Sequence, residues 1–88
     1  MELKRHIVSI IVEDLEHAFH PVSELLHNYA QHILMRVGYP MRDMGVSVIF
    51  LIMELDTTRM SAFSGKLGQI PSVKVKTTTL KIEPRSNS

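Results

Sequence analysis

The chain has 88 residues and a formal net charge of +1 at pH 7, with 44% hydrophobic and 22% charged residues. That length fits one domain with a modest core, a size at which association between copies is common. The balanced charge leaves no electrostatic footprint for nucleic acid, and the lack of cysteine excludes disulfides, a thiolate nucleophile and any cysteine-held metal or iron–sulfur site.

The start, Met1 to His6, leads into a short apolar stretch that Ser9 interrupts, unlike a signal peptide. The first strand is expected over Arg5–Val12, because Ile7-Val8-Ser9-Ile10-Ile11-Val12 is β-branched and lacks a helical stripe. Glu13-Asp14 marks a turn. Phe19, Val22, Leu25, Leu26 and Tyr29 then recur at helical spacing as one apolar face. Proline is tolerated in a first helical turn and damaging further in, so Pro21 places the helix start between His17 and His20. The end is expected near Ala30. His32–Tyr39 reads as a second strand, with Ile33, Met35 and Val37 on one face. Met41 to Gly45 suits a hairpin loop closed by a glycine.

Val46–Leu55 is the strongest strand signal. Val46, Val48, Phe50 and Ile52 take one face, and Ile49, Leu51, Met53 and Leu55 the other. Its core, Val46 to Met53, is the longest apolar run and falls far short of a membrane span, so a cytoplasmic protein with no membrane partner is expected. Asp56-Thr57-Thr58 caps a second helix, in which Met60, Phe63 and Leu67 face inward. Gly65 is expected to allow close packing there, and Gly68 to supply a left-handed cap before Pro71. Val73–Ile82 is the last strand, its lysines suiting an edge. A single domain over residues 1–82 and a flexible polar tail over 83–88 complete the chain.

The order βαββαβ points to an α+β, ferredoxin-like sandwich, a four-stranded antiparallel sheet with two helices on one face. The first and third strands are apolar on both faces. Leaving Ile49, Leu51, Met53 and their neighbours open would expose a large apolar patch. A homodimer or a higher even-numbered oligomer is therefore expected, packed through the open sheet face or a sheet edge.

Three segments carry a family resemblance: Leu25 to Tyr29; Arg36 to Ile49, which reads RVGYPMRDMGVSVI; and Ser64 to Gly68 followed by Pro71, Val73, Lys76 and Thr77. In this order the chain resembles the iron-only hydrogenase system regulators. These are small ACT-like domains similar to the C-terminal domain of the nickel-responsive repressor. The resemblance implies an ACT-like fold, oligomerisation through sheets and a regulatory role tied to hydrogenase maturation. It does not extend to the repressor's DNA reader, for which the first strand, so near Met1, leaves no room; direct DNA binding is not expected. Nor does it extend to the repressor's nickel site, because Ser47 to Met53 holds no histidine and the chain no cysteine.

Candidate site residues fall into three groups. His17, His20, Glu24 and His27 share the side of the first helix opposite its apolar face. There His20, Glu24 and His27 have spacing that can hold a divalent metal. A solvated polar face accounts for the same residues, and His27 near the helix end also suits the helix dipole. Arg36, Tyr39 and Arg42 could hold an anionic ligand, or form a solvated hairpin tip. Ser64-Gly65-Lys66-Leu67-Gly68 lacks Walker spacing and closes a helix rather than opening one. Ligands of ACT domains often lie near such loops at subunit interfaces, so the resemblance makes Gly65 and Lys66 ligand candidates. No catalytic constellation and no cofactor fingerprint is present, and a non-enzyme without a cofactor is expected. The expected partners are further copies of the chain, a small-molecule effector and an unidentified protein.

Overall fold

The computed structural model describes residues 2–82, so the expected tail over 83–88 lies outside the described residues. The elements run β1 (Lys4–Val12), α1 (Leu15–Asn28), β2 (Ile33–Met41), β3 (Val46–Leu55), α2 (Thr57–Gly68) and β4 (Val73–Thr79). The strands form one antiparallel sheet in the order β2-β3-β1-β4. This is the α+β, ferredoxin-like arrangement the sequence leads one to expect. The lysine-bearing β4 lies at one edge and β2, with Pro40, at the other, where a missing backbone N–H is tolerated.

One core forms between the sheet and both helices. Val8, Ile10 and Val12 of β1 and Ile49, Leu51, Met53 and Leu55 of β3 meet Ala18, Val22 and Leu26 of α1 and Met60, Phe63 and Leu67 of α2. The helices thus cover the face of β3 that the sequence reading left open. The uncovered face carries Val48, Phe50 and Ile52 instead. The two-residue period fixes which side chains share a face, and it is silent on which face receives the helices.

Helix α1 begins earlier than Pro21 suggests. Asp14 caps it, accepting from the His17 backbone N–H at 3.4 Å, and Pro21 sits within the helix. The proline denies the His17 carbonyl its intrahelical bond, but Pro21 lies on the exposed side where water can serve that oxygen. Phe19, expected in the apolar face, is 60% exposed. The buried stripe is Ala18, Val22 and Leu26, and Phe19 falls on its flank.

Two glycine expectations change. Nothing lies within 4 Å of a Cβ built at Gly65 or Gly68, so neither permits a close approach. Gly68 is the last helical residue, the cap is right-handed Gln69, and the left-handed residue of the connection is Ser72 at φ 66°. The hairpin glycine behaves as expected: Gly45 has φ 65° and closes a one-turn 3-10 segment over Arg42–Met44. Strand β4 ends at Thr79, short of Ile82, although the Leu80 N–H still donates to the Arg5 carbonyl at 2.8 Å.

Candidate functional site

A register shift in β2 sets the chemistry of both sheet faces. Ile33 opposes Met53 and Met35 opposes Ile52, so Leu34 is bulged. Ile33 therefore packs on the core, while Met35, Val37 and Tyr39 turn to the open face. Ile33 is thus separated from Met35 and Val37, with which strict alternation would place it on one face. Beyond the bulge, Arg36, Gly38 and Pro40 turn to the helix side opposite Leu51, Ile49 and Ser47.

On that side a groove of about 320 Å³ runs between α1 and β2. Its apolar floor is Val12, Leu15, Val22 and Ile49. Phe19 and Ser23 wall it from the helix; Gly38, Pro40 and Ser47 wall it from the sheet. Arg36 and Arg42 are its only charged lining residues. Neither forms an ion pair among the described residues, where the side-chain ion pairs are Arg5–Glu54, His17–Asp14, Arg59–Asp56 and Lys74–Glu13. A wider hollow of about 510 Å³ lies between Glu2–Arg5 and Thr79–Ile82, at the two ends of the described chain.

The open face forms three rows across the sheet. Met35, Ile52, Ile7 and Thr78 make one; Val37, Phe50, Ser9 and Lys76 the next; Tyr39, Val48, Ile11 and Lys74 the third. The first and third rows are apolar up to β1, the middle one turns polar at Ser9, and each ends in a polar residue at the β4 edge. Phe50 is 43% exposed and Tyr39 61% exposed within one chain.

The expected site residues are thereby sorted. Arg36 and Arg42 come together at the groove, but Tyr39 belongs to the opposite face. Gly65 and Lys66 lie on α2 and do not line the groove; Lys66 Nζ sits 5.7 Å over the ring of Tyr29, which in turn packs 4.7 Å from the ring of Phe63. His20, Glu24 and His27 remain exposed on the outer side of α1. No three His, Cys, Asp or Glu side chains gather to hold a metal ion among the described residues.

The sequence reading overlooked Gly38, Ser47 and the outward position of Phe19. It also passed over His6, which is 1% exposed. Its Nε2–H donates to the Leu55 carbonyl at 3.3 Å, and its Nδ1 is hydrogen-bonded with the Thr79 hydroxyl at 3.1 Å. His6 thus ties β1 to both of its neighbouring strands. At the α1 terminus, the His17 Nδ1–H donates to Asp14 Oδ2 at 2.8 Å. That hydrogen bond holds the Asp14 carboxyl below its ordinary value of 3.8.

Comparison with known proteins decides the family. The sequence model of the TM1266-like family, described as "Iron-only hydrogenase system regulator, putative", matches residues 4–77. The chain belongs to this family. Among solved structures, the uncharacterized protein TM1266 from Thermotoga maritima is similar at 50% identity and a TM-score of 0.87, covering 91% of this chain and 100% of its own. An unknown protein from Galdieria sulphuraria shares the fold at 17% identity and a TM-score of 0.62, over 94% of this chain and 48% of its own. No curated protein matches significantly. The family description is that of a regulator, and no helix among the described residues is long and apolar enough to cross a membrane.

Proposed function

We propose that this member of the family is a non-catalytic regulatory module of the iron-only hydrogenase system, working as a homodimer or a higher even-numbered oligomer. It responds to a small ligand and passes that state to a protein partner. The observation that carries the reading is the open sheet face, where Ile7, Ile11, Met35, Val37, Tyr39 and Phe50 are all left exposed while both helices lie on the other side. An apolar surface of this kind marks an interaction site. Two further points support the reading. The one His–carboxylate hydrogen bond among the described residues, His17 to Asp14, serves an exposed helix cap rather than a nucleophile. A formal charge of +1 favours a protein partner over direct binding to DNA.

Sedimentation at micromolar concentration tests the assembly. The wild-type chain is expected to run as a dimer or larger, and Phe50→Glu as a folded monomer. A monomeric wild type would sink the oligomer. Thermal-shift screening with carboxylates, amino acids, nucleotides and metals tests the ligand response, because a ligand bound to the native state raises the melting temperature. A flat screen would leave a structural adaptor in place of a sensor.

A further inference from the structure

We propose that the groove between α1 and β2 binds a small organic carboxylate with an apolar body, and that it discriminates against amino acids. The inference rests on the ligand-responsive part of the proposed function and names the chemistry of the ligand.

Charge is the first line of support. Arg36 and Arg42 line the same groove, and neither has an ionic partner among the described residues. Each guanidinium group that borders the hollow gains from an anion that enters it. Their planar forks match the two oxygens of a carboxylate. No acidic side chain lines the groove, so an ammonium group would enter with no counter-charge. A zwitterionic amino acid is disfavoured for that reason.

Shape is the second. Gly38 lies in the middle of β2 on the helix side, opposite Ile49. A glycine inside a strand weakens it and is usually explained by close packing. Here nothing lies within 4 Å of a Cβ built at Gly38, so no packing demand accounts for it. The missing side chain instead leaves open the space that the groove occupies. On the opposite wall Phe19 keeps an aromatic ring largely exposed, over an apolar floor. A ring or branched alkyl body fits between these walls, with its carboxylate paired to a lining arginine. The Ser47 hydroxyl is available for a further hydrogen bond. The volume, about 320 Å³, lies in the range of small-molecule sites.

The test uses the full chain, amide NMR titration and two probes, 3-phenylpropionate and 4-methylpentanoate. At least one probe is expected to bind at millimolar concentration or below and to shift the amides of Phe19, Gly38 and Ser47. Phenylalanine and neutral 3-phenylpropionamide are expected to bind about tenfold more weakly or worse. Arg36→Gln and Arg42→Gln should weaken the probe by a similar factor, and Gly38→Leu should abolish binding. Circular dichroism and the melting temperature confirm that each variant is folded. If Gly38→Leu does not fold, the two arginine variants decide alone. The proposal is overturned if neither probe moves the groove amides, if phenylalanine binds as well as the carboxylates, or if the arginine variants bind unchanged. Shifts confined to residues outside the groove overturn this site and leave the ligand-responsive reading standing. Failure of that reading would show instead as the flat thermal-shift screen.

Discussion

His6 and Asp14 show how single side chains take different roles from their surroundings. His6 is buried and bonded through both ring nitrogens, so it fixes the sheet where β1 meets β3 and β4. Asp14 is exposed and bonded twice to His17, through the backbone N–H and the ring. The ring hydrogen bond favours the ionised carboxyl and lowers its pKa. A carboxyl with a depressed folded-state pKa stabilises the fold above its unfolded value, near 3.9, and that contribution disappears as pH falls through the lower folded value. Wild type is therefore expected to lose stability on acidification below about pH 4 more steeply than Asp14→Asn. Urea unfolding at stepped pH checks this, and parallel curves for the two proteins would contradict it. Neither role is marked in the sequence. A histidine in a β-branched run gives no sign of which strands will flank it.

At the scale of elements, α2 and the hairpin use glycine in opposite ways. Gly65 lies inside α2 with open space around it, so alanine there has nothing to displace. Gly65→Ala is expected to raise the unfolding free energy by about 0.5–1 kcal/mol. Gly45 holds a φ of 65° between β2 and β3. Gly45→Ala is expected to lower stability by about 1–2 kcal/mol. Urea unfolding of both variants reads the two signs, and a common sign would contradict the assignment. The hairpin glycine was legible in the sequence because a short polar connection between two strands demands a left-handed residue. The bulge at Leu34 was not legible. Alternation in β2 predicts one face for Ile33, Met35 and Val37, and only pairing with β3 reveals the extra residue that sends Arg36 and Gly38 to the helix side.

At the scale of the molecule, the layers are asymmetric: two helices on one sheet face and none on the other. Covering what remains exposed of a side chain such as Phe50 or Val37, a little under half, stabilises by about 1 kcal/mol each, and several such side chains together make self-association through the open rows favourable. The melting temperature of the wild-type chain should then rise by a few degrees for each roughly tenfold increase in protein concentration. That of Phe50→Glu should not change. A concentration-independent wild type would argue against assembly through this face.

The sequence by itself determined the order of elements, the capped start of α2, the glycine turn at Gly45 and the two apolar sides of β3. These are local properties, written in hydrophobic period and turn chemistry over a few neighbouring residues. Only the tertiary structure decided which side of β3 the helices cover. It also separated Tyr39 from Arg36 and Arg42, and joined the two arginines to Phe19, Gly38 and Ser47 in one groove. The reason is physical. A strand's alternation has the same form whichever face is buried, and a groove built from α1, β2 and β3 exists only once segments distant in the chain have packed together.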